Sequence, residues 1–459
     1  MTKTQTSSPV THFLSGESDV EAMFEALGIK DYDELFADVP AAVRRSLKGP
    51  VGQTELEVRR AITKMLAKNK DFESRPHFLG AGSYAHYLPA EVAALILRGE
   101  FLTSYTPYQP EISQGLLQAM FEYQTYVCRL TGMDVANISV YDGPTAAAEA
   151  MLMTVRHSRG KEILLPENLF WEKRSVIENY LKGTGTRIVT YGYDRATGEA
   201  NLNDLQSKIT PETAGLFMEN PNFFGVWESR ASEVKGMLTA KAPKALFVVG
   251  ANPISFGLAK GPGHYGADIA VGDGQPLGNP LNYGGPYVGY FACKEDLLRK
   301  MPGRIVGETV DNKGRRAYCL TFSTREQHIR RDKATSNICS NEALNALAFS
   351  VHLSLLGEEG FRNLATTNAV RARALAARLN DVPGFRVAFT SPFFNEFVVK
   401  TARPVQEVER ALRRHGVAGG LDVSGKYGLQ GHHMLMCVTE LHPEWSLDAA
   451  VAAFKEVSA

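Results

Sequence analysis

The chain has 459 residues, and at roughly 150 residues per domain this length predicts two or three domains, or one large α/β domain with a small companion. Apolar residues make up 44%, aromatic residues 9% and charged residues 22% of the chain, and these values exclude a disordered, collagen-like or fibrous protein. Because 50 Lys and Arg residues balance 50 Asp and Glu residues, no net charge favours nucleic acid or an anionic membrane as a partner.

The N-terminus and the cysteines favour a cytoplasmic protein. The first twenty residues contain no continuous apolar segment of the kind found in secretory signals, and the longest apolar runs are far shorter than the roughly 18 residues that a membrane span needs. The cysteines are odd in number and lack Cys-x-x-Cys spacing, so we predict neither a disulfide framework nor a metal site.

The first third of the chain predicts a helical arm and then an aromatic loop. Residues 1–75 have the pattern of a polar tail followed by short helices, with a candidate N-cap at Ser18. The two prolines of Ser104-Tyr-Thr-Pro-Tyr-Gln-Pro-Glu111 exclude a regular helix or a central strand, so this segment is a surface turn or the wall of a pocket. A long helix is predicted over 114–131, with Gly132 as its cap.

Strands and helices then alternate. The candidate strands are 136–141, 162–165, 186–191, 213–219, 245–249, 268–271 and 287–293. The helical segments among them are 144–157, 168–182, 202–208 and 229–239. Seven strands with intervening helices predict a mostly parallel, doubly wound sheet, and residues 76–340 are predicted to form this large α/β domain.

The pattern changes after residue 340, where two long helices are predicted at 341–356 and 359–379. The remaining candidate elements are strands at 386–389, 396–400 and 434–439 and helices at 404–415 and 446–457. We therefore predict a small α+β domain over 341–459.

Two segments at predicted strand ends are candidates for ligand binding. Asp142-Gly-Pro-Thr145 lies where a strand turns into a helix, and the N–H groups of a helix start hold phosphate or carboxylate groups, although the absence of a glycine-rich pattern favours a plain turn. Glu219-Asn-Pro-Asn-Phe-Phe-Gly225 ends the fourth strand, where α/β proteins bind ligands, but Asn-Pro-Asn is equally typical of a turn.

Two later segments are also candidates for a binding site, and each has a plain structural alternative. The Gly- and Pro-rich segment 271–286 separates two strands, and its length favours a site or an interface over a linker. A basic cluster follows, and it consists of Arg325, His328, Arg330, Arg331 and Lys333. Such a cluster is typical of a solvated face, but beside the hydroxyl groups of Thr335 and Ser336 it also suits an anionic phosphate.

Five stretches of the chain are similar to one known family: Leu79-Gly-Ala-Gly-Ser-Tyr84, Tyr105-Thr-Pro-Tyr-Gln-Pro-Glu-Ile-Ser-Gln-Gly115, Leu130-Thr-Gly-Met133, Tyr141-Asp-Gly-Pro-Thr-Ala-Ala-Ala-Glu-Ala150 and Arg325-Glu-Gln-His-Ile-Arg-Arg331. They resemble the amino-terminal half of glycine decarboxylase, the P-protein of the glycine cleavage system, and the resemblance runs from about residue 10 to the end. In the two-subunit form of this enzyme, the length fits subunit 1, the α-type subunit. The resemblance implies the aspartate-aminotransferase-like fold, fold type I of pyridoxal-phosphate-dependent transferases, and a complex that decarboxylates glycine and passes the aminomethyl group to the lipoyl arm of the H-protein.

The resemblance also exposes a departure. Pyridoxal 5′-phosphate needs a lysine for its aldimine and an acid that faces its ring nitrogen. The His-Lys pair and the Asp-Gly-Ala-Asn turn of the family's second subunit fall here on Gln275-Pro276 and on Val249-Gly-Ala-Asn252. Pro276 forms no Schiff base and Val249 cannot stabilise a protonated ring nitrogen. The resemblance therefore implies a degenerate site with no catalytic residue on this chain alone, and a cofactor held covalently by the partner subunit.

The family's interface implies roles for two segments. Thr335, Ser336 and Asn337 are the candidates to reach across an interface to the phosphate of the partner's cofactor. Tyr105, Tyr108 and Gln109 are the candidates to line the access route for glycine and the lipoyl arm. The implied partners are a β-type subunit 2, in an αβ or α2β2 assembly, and the H-protein, with no nucleic acid and no membrane. Within the basic cluster, Arg330, Arg331 and Lys333 would stabilise the interface or attract an acidic carrier protein.

Two alternatives stay open. The first is a self-contained pyridoxal-phosphate enzyme that uses an unrecognised lysine, although Lys244, Lys260, Lys294 and Lys333 do not follow a strand end opposite a candidate acid. The second is a subunit without enzymatic activity that docks or regulates the H-protein.

Overall fold

The computed structural model describes residues 16–45, 52–338 and 341–458, and the chain divides into two compact units, Met1–Lys70 and Asp71–Ala459. The first unit contains α1 (Glu17–Leu27) and α2 (Glu55–Leu66). Thr54 begins α2 with a capping box, since its hydroxyl accepts from the Glu57 N–H and its own N–H donates to the Glu57 carboxylate. The described residues of the predicted arm contain these helices, while the predicted polar tail before Gly16 lies outside the described residues.

The second unit is built on a seven-stranded sheet. Its strands are β1 (Val135–Ala136), β2 (Glu162–Pro166), β3 (Arg187–Tyr191), β4 (Thr213–Glu219), β5 (Leu246–Gly250), β6 (Ile269–Asp273) and β7 (Gly289–Cys293), and their order is β1-β7-β6-β5-β4-β2-β3. Five neighbouring strands, from β6 to β3 in this order, run parallel, and β7 pairs antiparallel with both β6 and β1. The predicted mostly parallel sheet is confirmed.

Helices cover both faces of this sheet. The second unit as a whole contains the α-helices α3 (Ala90–Ile96), α4 (Gly99–Leu102), α5 (Gln114–Thr131), α6 (Gly143–Ser158), α7 (Trp171–Leu181), α8 (Leu202–Lys208), α9 (Ala231–Lys241), α10 (Gln327–Arg330), α11 (Ala343–Asn380), α12 (Val405–Arg414) and α13 (Glu444–Ser458). One apolar cluster contains α6 and α7, and another contains α5, α8 and α9. Because both faces are covered, the central strands are apolar along nearly their whole length.

The first predicted strand, 136–141, is longer than the strand that forms. After Ala136 the chain leaves the ladder, because the Ile138 N–H donates to the Arg304 carbonyl and the Asn137 side chain donates to the Pro302 carbonyl. Val140 returns to the sheet as an isolated bridge to Gly289.

A hairpin that the sequence analysis did not predict follows the large sheet. It consists of β8 (Ile305–Val310) and β9 (Arg316–Thr321), which pair antiparallel. The turn contains Gly314 at a φ of 72°, where glycine meets no Cβ penalty. Asp311 accepts hydrogen bonds from the N–H groups of Lys313 and Arg315 across this turn.

A second sheet lies toward the C-terminus. Its strands are β10 (Phe385–Val387), β11 (Glu396–Thr401), β12 (Leu421–Asp422) and β13 (His432–Cys437), in the order β10-β11-β13-β12. The strands are antiparallel, and β10, β11 and β13 share one apolar cluster with α12, α13 and the last turns of α11. The range of α11 contains two helical segments that meet at Gly357, whose φ of 59° and ψ of −173° are not helical, so the two predicted helices are confirmed. No helix of the described residues is long and apolar enough to cross a bilayer.

Candidate functional site

The carboxyl ends of the parallel strands open into a cavity of about 250 Å³. Glu219 ends β4, Asn252 follows β5 and Asp273 ends β6, and all three line this cavity, as does the start of α6. The charged side chains of the wall are Asp142, Glu172, Lys173, Glu219, Asp273 and Glu396. Five carboxyl groups therefore surround one ammonium group, and the Lys173 ammonium forms an ion pair with the Glu219 carboxylate.

The N-terminus of α6 is bonded to carboxyl groups of the chain itself. Asp142 is the N-cap, and its Oδ1 accepts from the Thr145 N–H at 2.7 Å. The Gly143 N–H donates to Oδ2 of Asp273 at 2.9 Å, and Pro144 has no N–H. The Ala146 N–H donates to the Asp142 carbonyl at 2.9 Å. The first turn of the helix thus has no backbone N–H group left for a ligand.

Burial changes the ionisation of two of these carboxyl groups. Desolvation raises the pKa of Asp273 to about 7, although its carboxylate accepts the N–H groups of Gly143 and Gln275. Desolvation likewise raises the pKa of Glu396 to about 7. Glu396 accepts from the Ala81 N–H at 2.6 Å and from the Tyr84 hydroxyl at 2.7 Å, so it ties the 81–84 segment to β11.

The two positions predicted as degenerate anchors do not line this cavity. Val249 is fully buried in β5, within the apolar cluster that contains α5. Pro276 is buried beside Gln275, whose side-chain amide accepts from the Tyr84 N–H and donates to the carbonyls of Tyr84 and Asn279, each at 2.9 Å. The resemblance aligns Gln275 and Pro276 with the His-Lys pair that binds the cofactor. At this position, the chain therefore has a glutamine whose hydrogen bonds hold neighbouring backbone segments together.

The residues present do not fit pyridoxal phosphate. Among the residues that line the cavity, the only lysine is Lys173, and its ammonium is held by Glu219. The side chain of Val249 offers no acid to a ring nitrogen, and the N–H groups of α6 that suit a phosphate are occupied. The sequence analysis did not single out Lys173 or Glu396, and it included Asp273 only within the segment 271–286, whose residues Gly272, Asp273 and Gly284 line the cavity. A polar residue that directly ends a strand, as Asp273 does, is the signal that could have indicated one of them.

The residues predicted to reach across the interface and those predicted to line the access route do not line this cavity. They are Thr335, Ser336 and Asn337 for the interface, and Tyr105, Tyr108 and Gln109 for the access route. The two predicted segments approach each other at Arg304, which is 4% exposed. Its guanidinium donates to the Tyr108 hydroxyl at 2.6 Å and to the Thr106 hydroxyl at 3.1 Å. Thr335 and Ser336 line a small surface depression together with Arg304. Tyr105, Tyr108, Gln109 and Asn337 are exposed.

The two hydroxyl groups at positions 335 and 336 differ in their bonding. Ser336 donates its only hydroxyl hydrogen to Oε1 of Glu149 at 2.8 Å. Glu149 is fully buried, burial raises its pKa, and its Oε2 has no hydrogen-bond donor among the described residues. No hydrogen bond within the described part of the chain involves the Thr335 hydroxyl. Only Thr335 of this pair therefore has a hydroxyl hydrogen available for another molecule.

The predicted basic cluster is not uniform. Arg330, Arg331 and Lys333 are exposed, as a solvated face requires. Arg325 is 8% exposed, and its guanidinium donates to the carbonyls of Met301 and Gly303. Arg325 therefore stabilises the loop before β8 instead of facing solvent.

Comparison with known proteins finds relatives along nearly the whole chain. The family described as glycine cleavage system P-protein matches residues 11–454. A protein of Desulfitobacterium hafniense named probable glycine dehydrogenase (decarboxylating) subunit 1 is 47% identical over 439 residues, which cover 95% of this chain and 97% of that protein. A protein of Bacillus cytotoxicus with the same name is 47% identical over 437 residues, which cover 95% of this chain and 96% of that protein.

Solved structures show the same fold. A crystal structure of glycine decarboxylase (P-protein) of the glycine cleavage system in inhibitor-bound form matches with a TM-score of 0.89 at 39% identity, over 97% of this chain and 99% of that chain. A C-DES mutant with glycine covalently linked to its PLP cofactor matches with a TM-score of 0.61 at 13% identity, over 84% of this chain and 100% of that chain. The predicted fold type I of pyridoxal-phosphate-dependent transferases is confirmed.

We predict that Glu396 makes the free energy of unfolding fall as the pH rises. Because its pKa is raised from 4.5 to about 7, the folded chain holds a proton that the unfolded chain releases. This contribution is fully present below pH 4.5 and is lost as the pH rises through about 7, and it amounts to about 3 kcal/mol. Over this range, the melting temperature of the Glu396→Gln variant should decrease less with pH than that of the wild type.

The matched control is Glu172→Gln, which removes an exposed carboxyl group from the wall of the same cavity. Its melting temperature should depend on pH as that of the wild type does. Identical pH dependence in Glu396→Gln and the wild type would contradict the raised pKa of Glu396.

Proposed function

Because the chain belongs to the glycine cleavage system P-protein family, we propose that it is subunit 1, the α-type subunit, of glycine dehydrogenase (aminomethyl-transferring, decarboxylating). In this proposal it is inactive alone and pairs with a homologous β-type subunit 2 in an αβ or α2β2 assembly. Subunit 2 holds pyridoxal 5′-phosphate covalently and decarboxylates glycine, and the complex transfers the aminomethyl group to the lipoyl arm of the H-protein. The proposed location is the cytoplasm, and neither nucleic acid nor a membrane is a partner.

The composition of the strand-end cavity carries this proposal. The chain has the fold of the enzyme, but a core valine and a buried proline occupy the two positions that the resemblance gives to the cofactor's anchors, Val249 and Pro276. The cavity lysine, Lys173, is paired with a carboxylate, and an ion-paired ammonium is a poor nucleophile because aldimine formation needs the neutral amine. These features support a chain whose contribution to the reaction is made outside its own cavity.

The surface around Arg304 supports a contribution across an interface. Arg304 fixes the ring of Tyr108 through a hydrogen bond and a cation–π contact of 5.0 Å. Thr335 lines the same surface depression as this arginine, and in this proposal its hydroxyl donates to a phosphate oxygen of a bound partner. In this proposal Ser336 and Asn337 shape the loop, since the Ser336 hydroxyl already bonds to Glu149. The exposed Arg330, Arg331 and Lys333 would attract acidic groups of a partner.

Lys173 favours one alternative, a self-contained pyridoxal-phosphate enzyme, because it places an amine in the cavity wall. Its ion pair with Glu219 opposes that role. The remaining alternative, a docking or regulatory subunit for the H-protein, predicts that no residue of this chain affects how firmly the partner holds the cofactor.

The purified chain should form no aldimine with pyridoxal phosphate in its cavity. We expect no visible-absorbing species that borohydride traps on a cavity lysine, as checked by mass spectrometry of the reduced protein. Glycine decarboxylation should appear only after subunit 2 is added. A reduced adduct on Lys173 that disappears in the Lys173→Arg variant would overturn the proposed division of labour and support the self-contained enzyme.

Substitutions at positions 335 and 336 should have different effects in the reconstituted pair. Thr335→Ala removes an available donor, so the cofactor should dissociate more readily, by about 1–3 kcal/mol in affinity, while the melting temperature of the chain stays unchanged. Ser336→Ala leaves the buried Glu149 carboxyl without its donor, so it should lower the melting temperature. Cofactor retention is read from the absorbance that remains with the protein after gel filtration.

Thr335→Ser is the matched control, because it keeps the hydroxyl and should retain the cofactor. Wild-type retention in Thr335→Ala would contradict the proposed contact and would favour the docking alternative.

A further inference from the structure

The carboxyl group of Asp273 lies at the place where the first turn of α6 would receive an anion. We propose that Asp273 closes the strand-end cavity to phosphate-bearing ligands. This inference goes beyond the proposed function, because it concerns which ligands cannot bind in the cavity of the isolated chain. It does not depend on the identity of a partner subunit.

The start of a long helix normally attracts anions. Its first N–H groups have no partner within the helix, and the aligned peptide dipoles leave a partial positive charge there. The helix α6 has 16 residues and begins at the cavity, so it has the length and the position for such a site. The fold therefore places a helix start that could bind an anion at this cavity, but acidic side chains of the chain itself accept its N–H groups.

Asp273 fills the site with both of its oxygens engaged. Oδ2 accepts from the Gly143 N–H and Oδ1 accepts from the Gln275 N–H, each at 2.9 Å. Together with the N-cap Asp142, it leaves the first turn without an available backbone N–H group. An incoming phosphate would have to displace one of these carboxylates from its hydrogen bonds, and no other group in the first turn would compensate for them.

The backbone holds Asp273 in this position. A Cβ atom added to Gly143 would lie 3.0 Å from Cβ and 3.1 Å from N of Asp273. Glycine therefore permits the close approach of α6 to the end of β6, and this approach places the carboxyl group directly on the Gly143 N–H. Asp273 also pairs with Gly289 in the sheet. Main-chain packing on both sides therefore keeps its carboxyl group on the Gly143 N–H.

Charge adds to the steric effect. A phosphate beside α6 would face the carboxyl groups of Asp142 and Asp273, and its repulsion by these groups is strong in a poorly solvated cavity. The ammonium of Lys173 offers little attraction in return, since the Glu219 carboxylate already neutralises it. Neutral or cationic molecules of similar size face no such repulsion.

The experiment measures binding of two probes to the isolated chain by isothermal titration calorimetry. The probes are inorganic phosphate and deoxypyridoxine phosphate, which has a ring and a phosphate but no aldehyde that could react with surface lysines. The pH is about 8, above the value of about 7 to which burial raises the pKa of Asp273. The variants are Asp273→Ser, which frees the Gly143 N–H and opens space, and Asp273→Asn, which removes the charge but keeps the size. Glu172→Gln is the control, because it removes a carboxyl group from the wall without freeing an N–H group.

We expect no saturable binding to the wild type or to Glu172→Gln. Asp273→Ser should bind both probes saturably, with a Kd at least about tenfold below the lower limit that the titration sets for the wild type, which corresponds to about 1.4 kcal/mol. Asp273→Asn should be intermediate, and it decides the question if Asp273→Ser does not fold by circular dichroism. Saturable binding of either probe to the wild type, an equal gain in Glu172→Gln, or no gain in a folded Asp273 variant would each overturn the inference. Because the assay involves neither a partner nor turnover, a failure of this inference is distinguishable from a failure of the proposed function, which is tested by aldimine trapping and by reconstitution with subunit 2.

Discussion

Five parallel strands must leave the large sheet at the same edge, and the backbone groups of the loops that follow must find hydrogen bonds there. In this chain acidic side chains supply many of those bonds. Asp142 and Asp273 accept the first N–H groups of α6, and Glu396 accepts the Ala81 N–H from the other sheet. The edge where relatives of this fold carry out chemistry is here held together by the carboxyl groups of the chain itself. Because these carboxyl groups already accept hydrogen bonds from the backbone of the chain, they line the cavity as structural groups.

The sequence predicted the large sheet well because its strands are continuous apolar runs. The strand β4 begins and ends where expected, as do α5 and α8, since their apolar positions repeat without interruption. The first strand was predicted too long because contacts of Asn137 and Ile138 with a loop more than 150 residues away decide where it ends. Hydrophobic periodicity contains no information about such contacts.

The candidate site could be predicted only in part for the same reason. The segments that begin at Asp142 and Glu219 were identified because strand ends and helix starts have local signatures. Asp273 and Glu396 act on residues 130 and 315 positions away in the chain, so only the folded chain shows what they do. The different bonding of Thr335 and Ser336 likewise depends on Glu149, which lies 187 positions from Ser336. Family resemblance could point to this loop, but it could not assign the hydroxyl hydrogens.

The helical segment of α11 that follows Gly357 belongs to two apolar clusters. Its residues Phe361, Ala365 and Ala369 pack in the cluster of the large sheet, whereas Ala372, Leu375 and Leu379 pack in that of the small sheet. Separating the two sheets would therefore expose buried side chains along a continuous stretch of helix, because no flexible linker joins the two clusters at this point. Cooperative melting of both sheets follows from this shared element, and an endoprotease would meet helical backbone at the junction where a flexible connection would otherwise invite cleavage.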